Sequence, residues 1–523
     1  MSGKEEKKYE SLSPFELKNK LIAMAKERGE KTMLNAGRGN PNWVAMVPRK
    51  GFAEFLLFAV AESERRPHRP RIGNVPEKHG IAGRLREFLQ SRPGLDGTKF
   101  LRAALDYVEH EMKIDPDEFT LEMCDAILGD HYPTPDRMLT LSERIVHQYL
   151  TREMGLGGQW DLFATEGGTA AMDYIFYSLK ANKLFKVRDR IALGTPIFTP
   201  YIEIPRLNDY RFVEVNIEQD ENNDWQYPDA ELKKLEDPKI KAFFLVNPSN
   251  PTSVAVHQKS LDKIAKLVDT KRKDLIILTD DVYGTFVNGF RSLAAAAPRN
   301  TILVYSFSKY FGATGWRLGV IGLRSDNVLD GLIKQLPGKE LKELRQRYCH
   351  VEFDPDNMRL IDRMVADSRS VALHHTAGLS TPQQVMMVFF SLYCLCDGKG
   401  VYKQEAQSIV RERFEALYKN LGIPAPRHEA DAHYYSTIDI PALAEQRYGK
   451  EFSAWLVEQH EPIDFIWRLA EEKGVVLLDG GGFDAPNMSI RVSLANLQLD
   501  AYEKIGRGVS DLLAQYHQEW GGK

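Results

Sequence analysis

A lysine and an arginine stand eight residues apart in the segment SFSKYFGATGWRLG, residues 306–319. Lys309 follows the β-branched, apolar run 301–304, so we expect its amine just beyond a strand end, where open α/β sheets bind ligands. Such an amine can form a Schiff base with an aldehyde, and Ser306 and Arg317 could bind a phosphate on the same molecule. Pyridoxal 5′-phosphate (PLP) has both groups. A surface turn is the alternative, because Ser-x-x-Lys is a short pattern.

Two other strand-like runs lead into polar side chains that suit the same cofactor. Asn250, in NPSNPTS after the apolar run 242–246, could donate a hydrogen bond to the phenolic oxygen of PLP. Asp280 ends the run LIILTD, with Tyr283 three residues beyond it. A buried carboxylate needs a cationic partner, and the protonated pyridine nitrogen of PLP is one. A helix N-cap is the alternative role for Asp280.

A glycine pair precedes an apolar helix predicted to run toward Leu179. Gly167, Gly168 and Thr169 in ATEGGTAA would expose backbone amides at the helix start, which form a cradle for phosphate. A simple β-to-α turn would explain the same residues. Together, however, the motifs follow one another in an order that suits a single cofactor site.

Alternating strands and helices must position these residues. From about residue 160 to 325, apolar strand candidates alternate with helical patterns, which predicts an α/β fold with a mainly parallel sheet. With 523 residues and 43% hydrophobic content, the chain can bury a sizeable core, and its length indicates two domains. A capping pattern at 13–16 predicts a helix through Lys26.

Composition argues against several other classes of protein. A formal charge of -4 gives no sign of nucleic-acid binding, and the basic cluster 65–71 lacks an aromatic stacking platform. The N-terminus has no apolar signal core, and the longest apolar run, 385–396, falls short of the roughly 20 residues that span a bilayer. The four cysteines lack metal-like spacing. We therefore expect a cytoplasmic protein without a metal site.

From about Tyr132 to Asn496, the order of the motifs resembles that of the fold-type I PLP enzymes of the aspartate aminotransferase superfamily. The resemblance implies a large domain with a mainly parallel seven-stranded sheet flanked by helices, and a smaller α+β domain from both termini. We expect an N-terminal arm and part of the small domain in 1–130, the large PLP-binding domain in 131–400 and the C-terminal small domain in 401–523.

The resemblance also gives the motif residues roles. Lys309 would be the catalytic Schiff-base lysine, Asp280 the pyridinium partner, and Asn250 and Tyr283 the donors to the ring oxygen. The phosphate cup would consist of Gly167, Gly168, Thr169, Ser306 and Arg317.

Three residues outside these motifs gain roles in the same way. Phe198 resembles the aromatic side chain that stacks on the pyridine ring; an ordinary core phenylalanine is the alternative. Tyr132 resembles the tyrosine that reaches the phosphate of the neighbouring subunit, which implies a homodimer with shared active sites. Arg491, in SIRVSLA, resembles the arginine that binds the substrate α-carboxylate; a solvent-facing strand arginine is the alternative.

The chain has two extra segments, between Gly37 and Tyr132 and at about 325–375. With these included, it most closely resembles the aspartate 4-decarboxylases, through LNAGRGNPNW at 34–43 and YSFSKYFGATGWR at 305–317. That resemblance implies β-decarboxylation of L-aspartate to L-alanine through ketimine and enamine intermediates, with aspartate transamination to α-keto acids such as pyruvate as a side activity. It also implies a large homo-oligomer built from dimers, a dodecamer.

The β-carboxylate of aspartate must be held loosely for carbon dioxide to leave. We hypothesise that Arg38 and Thr376, with Lys18, bind it. A structural loop arginine, a helix cap and an exposed helix lysine are the respective alternatives.

Two other functions stay open. One is a plain aminotransferase for aspartate or another dicarboxylic or aromatic amino acid, with extra segments that serve assembly. The other is a regulator or scaffold on the PLP fold, which the intact set of candidate catalytic residues disfavours.

Overall fold

The computed structural model describes Tyr9, Leu12 and residues 14–27, 33–198, 212–372 and 378–521. In chain order, its strands are β1 (Leu34–Asn35), β2 (Trp160–Thr165), β3 (Arg190–Thr195), β4 (Val213–Glu218), β5 (Ile240–Val246), β6 (Ile276–Asp280), β7 (Thr301–Ser306), β8 (Gly319–Arg324), β9 (Tyr435–Asp439), β10 (Val475–Val476), β11 (Leu478–Asp479) and β12 (Ser489–Ser493).

The helices before β6 are α1 (Pro14–Glu27), α2 (Met46–Glu64), α3 (Ile81–Gln90), α4 (Asp96–His110), α5 (Pro116–Leu128), α6 (Thr140–Met154), α7 (Gly168–Ala181), α8 (Asp229–Lys234) and α9 (Gln258–Thr270). Those after it are α10 (Leu293–Ala296), α11 (Val328–Lys334), α12 (Gly338–Tyr348), α13 (Leu360–Ala372), α14 (Thr381–Cys396), α15 (Val401–Leu421), α16 (Ile440–Tyr448), α17 (Lys450–Gln459), α18 (Asp464–Lys473) and α19 (Leu499–Gly521).

The largest sheet has seven strands in the order β2-β8-β7-β6-β5-β3-β4. Its neighbouring strands are parallel, except that β8 runs antiparallel to both β2 and β7. Strands β2, β6 and β7 are buried along their whole length, as expected for strands covered by helices on both faces. The predicted α/β fold with a mainly parallel seven-stranded sheet is therefore confirmed.

One edge of this sheet collects the candidate site residues. The parallel strands all end there, which is where open α/β folds bind ligands. Strand β6 ends at Asp280, β7 ends at Ser306, and β2 ends just before the turn that leads into α7. The antiparallel β8 begins at the same edge, so Arg317, two residues before it, arrives beside them.

The helices between 46 and 128 pack on the larger of the two main hydrophobic cores. Helices α2 and α4 contact α14, where the ring centroids of Phe55 and Phe100 lie 5.5 and 5.9 Å from that of Phe389. These side chains share a core with the seven-stranded sheet. The domain boundaries near 130 and 400 stay a prediction.

A second core joins the two ends of the chain. Leu17 and Leu21 of α1 pack in one cluster with Leu417 of α15 and Val509 of α19. Beside it, β11, β12 and β9 form an antiparallel sheet, and β1 pairs in parallel with β10. The segment after β1 therefore starts from this smaller core and leads to α2 on the larger one.

In the described ranges, no single helix is long and apolar enough to cross a membrane. Helices α14 and α15 meet the length and composition test only as a pair, with a bend of 98° between them.

Candidate active site

Lys309 lies just beyond β7, at the carboxyl edge of the large sheet. Its Nζ donates a hydrogen bond to the carbonyl oxygen of Gly39 over 3.0 Å. A cavity of about 260 Å³ opens beside it. The predicted site residues that line this cavity are Gly168, Thr169, Phe198, Asn250, Asp280, Tyr283, Ser306, Lys309, Arg317 and Arg491. A larger cavity, of about 470 Å³ between α6 and β2, contains none of them.

A glycine turn and a helix start form one end of the cavity. Gly167, which precedes α7, has a φ of 93°, a conformation that glycine adopts without steric cost. A Cβ on this residue would lie 2.6 Å from Nη2 of Arg317, so only glycine lets the guanidinium approach the turn. Arg317 also donates to the carbonyl of Thr314 over 3.0 Å. Helix amides, this guanidinium and the Ser306 hydroxyl together fit a phosphate.

The end of β6 presents a buried carboxylate to the same cavity. Asp280 is 5% exposed, and its Oδ1 accepts a hydrogen bond from the backbone amide of Val282 over 3.1 Å. This bond fixes the orientation of the carboxylate. The half-buried ring of Phe198 also lines the cavity. A carboxylate and an aromatic ring fit a protonated pyridine, which needs a counter-ion and a flat apolar contact.

Tyr283 and Asn250 can both donate to a ring oxygen. Burial raises the pKa of Tyr283, so its hydroxyl keeps its proton at neutral pH. This hydroxyl lies 2.9 Å from that of Tyr435. The Oδ1 atom of Asn250 accepts a hydrogen bond from Nη1 of Arg491 over 3.2 Å, so the NH₂ group of this amide is its donor toward a ligand.

Arg491 is a buried cation whose contacts among the described residues are with neutral groups. Its side chain is 1% exposed, and Nη2 donates to the carbonyl of Gly37 over 2.9 Å. Among the described residues, Nε has no hydrogen-bond partner. Burial lowers the pKa of Arg491, and the nearby groups that oppose this are phenols and not carboxylates. A guanidinium in such a place fits the carboxylate of a ligand.

Two further cations lie beside Arg491. Lys18 lies against Gly37, since a Cβ on that glycine would be 3.1 Å from the lysine Cδ. Burial lowers the pKa of Lys18, and the positive charges of Arg38 and Arg491 lower it further, each by more than the charge of Glu16 raises it. Like charges gathered in this way favour a ligand with more than one negative charge.

Four predicted site residues in the described part of the chain do not line this cavity, namely Lys18, Arg38, Gly167 and Tyr132. Tyr132 is 71% exposed and does not line it, so its role toward a neighbouring subunit stays a prediction. Thr376 lies outside the described residues.

Sequence reasoning missed three residues of the site. The carbonyl of Gly39 accepts hydrogen bonds from Lys309 Nζ and from the hydroxyl of Tyr434, the latter over 2.9 Å. Tyr435 lines the cavity. Tyr434 and Tyr435, at the entry to β9, were a visible signal, because a buried phenol hydroxyl usually needs a hydrogen-bond partner. A backbone carbonyl leaves no such signal.

The sequence profile of the family described as aminotransferase class I and II matches residues 131–506, more than half of the chain. The chain belongs to the class I and II aminotransferases. A bifunctional aspartate aminotransferase and L-aspartate beta-decarboxylase from Pseudomonas sp. is 50% identical to this aminotransferase, and the alignment covers 99% of each chain. An asparagine–oxo-acid transaminase from Streptococcus mutans is 24% identical over 65% of this chain and 74% of its own length.

Solved aminotransferases share the fold of this chain. A single mutant of Thermus thermophilus aspartate aminotransferase gives a TM-score of 0.63 at 15% identity, over 96% of this chain and 97% of that chain. An aromatic aminotransferase from Pyrococcus horikoshii gives a TM-score of 0.58 at 17% identity, over 94% and 99% of the two chains. Aminotransferases of this class depend on PLP, and the residues around Lys309 fit that cofactor.

Proposed function

We propose that this aminotransferase converts L-aspartate to L-alanine and carbon dioxide, with aspartate transamination as a side activity. The observation that carries the proposal is the cationic cluster of Lys18, Arg38 and Arg491, in which Arg491 lines the Lys309 cavity and the charges of both arginines act on Lys18. Aspartate is a dicarboxylate, so it offers this cluster two negative charges. The full-length relative whose name gives both activities supports the same substrate.

The positions of the residues suit the early steps of either activity. Bound PLP supplies an electron sink for the electrons left when a bond at Cα or Cβ of the substrate breaks. Arg491 binds the α-carboxylate and orients Cα toward Lys309. The amine of Lys309 then removes the Cα proton as a general base, held at the cavity by the Gly39 carbonyl 3.0 Å from Nζ.

Loss of carbon dioxide needs a weak hold on the β-carboxylate. A cation that binds this group tightly stabilises it while it is charged, and the attraction fades as neutral carbon dioxide forms. Each 1.4 kcal/mol of such selective stabilisation slows the step about tenfold. Arg38 is exposed and Lys18 half-buried, so water screens their charges. We assign these two cations, with Thr376, to the β-carboxylate that must leave.

A product assay tests the function. Purified protein with PLP and L-aspartate is given a trace of pyruvate, and carbon dioxide, alanine and oxaloacetate are followed. We expect sustained carbon dioxide release in step with alanine, far beyond the pyruvate supplied. Oxaloacetate and alanine limited by pyruvate, without enzyme-dependent carbon dioxide, would leave a plain aspartate aminotransferase.

The role of Arg38 is tested by the ratio of alanine to oxaloacetate. Because the α-carboxylate contact remains, we expect Arg38→Ala to change this ratio while aspartate still binds. Arg411→Ala removes an exposed arginine on α15 and is the matched control, for which the ratio should not change. An unchanged ratio in Arg38→Ala would exclude Arg38 from contact with the β-carboxylate.

We also propose a cytoplasmic homodimer with shared active sites, assembled into a larger homo-oligomer, a dodecamer by resemblance. The exposed Tyr132 supports a site shared between subunits. The four cysteines are unpaired, which is typical of a reducing compartment. Sedimentation of the purified protein tests the assembly, and a stable monomer would contradict it.

A further inference from the structure

Tyr435 touches both functional halves of the cavity. Its hydroxyl lies 2.9 Å from the hydroxyl of Tyr283, the candidate donor to the ring oxygen of the cofactor. The guanidinium carbon of Arg491 lies 4.3 Å from the centre of its ring. We propose that Tyr435 is a positioning residue that supports Arg491 with its ring and strengthens hydrogen-bond donation by Tyr283 with its hydroxyl. The proposal rests on the PLP site and on Arg491 as the carboxylate anchor.

The register of the small sheet explains why Tyr435 reaches Arg491. In the antiparallel pair β9–β12, Tyr435 lies opposite Ser493, two residues beyond Arg491. Such diagonal neighbours share one face of a sheet, within reach of aromatic and long side chains. The backbone amide of Tyr435 also donates to Oγ of Ser253 over 2.7 Å. Tyr435 is 2% exposed and is held by β12 on one side and by Ser253 on the other.

The hydrogen bond between the two phenols has a defined direction when the cofactor is bound. A phenol has one proton, so if Tyr283 donates to the ring oxygen, its own oxygen must accept from Tyr435. A hydroxyl that accepts a hydrogen bond becomes a stronger donor, because bonds in a chain polarise one another. Tyr435 therefore increases the pull of Tyr283 on the ring oxygen.

The ring of Tyr435 supports Arg491 without cancelling its charge. A carboxylate in this position would pair with the guanidinium and compete with the carboxylate of the substrate. An aromatic face attracts the cation more weakly and leaves it positive, so the N–H groups can still bind an anion. Among the described residues, the other partners of Arg491 are also neutral, namely the Asn250 amide, the Gly37 carbonyl and the ring of Phe483.

Two variants separate the hydroxyl from the ring. Tyr435→Phe removes only the hydroxyl, and Tyr435→Leu removes both. The first readout is the pH midpoint of the visible absorbance change of the lysine-bound cofactor. We expect both variants to raise this midpoint by about half to one pH unit, which corresponds to the energy of one hydrogen bond. Weaker donation by Tyr283 leaves more negative charge on the ring oxygen of the cofactor, and this charge holds the proton on the Lys309 nitrogen more tightly.

The second readout is the affinity for maleate, an unreactive dicarboxylate. We expect Tyr435→Phe to bind maleate as the parent protein does, because the ring remains. Tyr435→Leu should bind it about three- to thirtyfold more weakly, which is the range for a buried cation–π contact. Since maleate is not turned over, this result does not depend on whether the enzyme decarboxylates aspartate.

Tyr418→Phe is the matched control, because it removes a buried phenol hydroxyl that lies 2.9 Å from Oγ of Ser436, the residue after Tyr435 on β9. Neither readout should move in this variant. An unchanged midpoint in Tyr435→Phe would overturn the role of the hydroxyl. This variant should fold, because it retains the ring that packs in the core. Unchanged maleate affinity in a folded Tyr435→Leu would overturn the role of the ring.

Discussion

Arg491 gives the sharpest test of how this site holds its substrate. Arg491→Leu removes the guanidinium that we assign to the α-carboxylate. A hydrogen bond to a charged group contributes about 1.5–3 kcal/mol, so two such bonds contribute about 3–6 kcal/mol. That energy corresponds to a fall of about a hundredfold to ten-thousandfold in kcat/KM for L-aspartate. Thermal stability should hold or rise, because a buried cation without an anionic partner is replaced by an apolar side chain.

The assay pairs steady-state kinetics with a melting curve and the visible absorbance of the bound cofactor. Arg491→Lys keeps the charge but loses the planar fork, so its kcat/KM should fall between those of the parent and the leucine variant. Arg272→Leu is the contrasting control. Arg272 is 3% exposed, donates to the carbonyls of Leu235 and Ile240 and does not line the cavity, so its loss should lower Tm and leave kcat/KM nearly unchanged.

One result would refute the assignment. If Arg491→Leu binds the cofactor normally and keeps kcat/KM within about tenfold of the parent protein, less than one charge-assisted hydrogen bond has been lost. The α-carboxylate would then be held elsewhere.

Three further predictions concern the cofactor and the buried acid beside it. Lys309→Ala should lose the visible absorbance of the lysine-bound cofactor and turnover together; retention of either would contradict the Schiff-base role. Gly167→Ala should weaken PLP binding by about tenfold, measured by equilibrium dialysis, because its Cβ would displace the Arg317 guanidinium 2.6 Å away. Burial raises the pKa of Asp281 to about 7, so its native carboxyl keeps a proton that the unfolded chain releases near pH 4. The parent protein should therefore lose stability as pH rises from about 4 to 7, while Asp281→Asn should lose less, as Tm measured across that range will show.

The site residues at strand ends could be predicted because one local pattern, an apolar run followed by a polar residue, gives both the type of side chain and its position at the end of a strand. Asp280 and Ser306 each end an apolar run of their own, and Lys309 follows the second. Because parallel strands bring these ends to one edge, local patterns were enough to place the cofactor side of the cavity.

The substrate side of the cavity was harder to predict from the sequence, because its contacts depend on strand register and on backbone carbonyls. Tyr435 meets Arg491 only through the pairing of β9 with β12, which no local pattern specifies. The carbonyls of Gly37 and Gly39 bind Arg491 and Lys309, and a carbonyl has no residue type to recognise. Likewise, the apolar face of α2 predicts burial but does not identify α14 as its partner.

Arg491 and Gly37 are in contact although they lie far apart in the sequence. This separation determines which part of the pocket can form first during synthesis. Domains generally fold as units while the chain emerges from the ribosome. The phosphate cup and Lys309 lie between residues 167 and 317, whereas Arg491 meets a carbonyl 454 residues earlier in the chain. The cofactor cradle can therefore form on a nascent chain that still lacks its carboxylate anchor. We expect translation that stops before β12 to leave the cofactor residues of the chain without their carboxylate anchor.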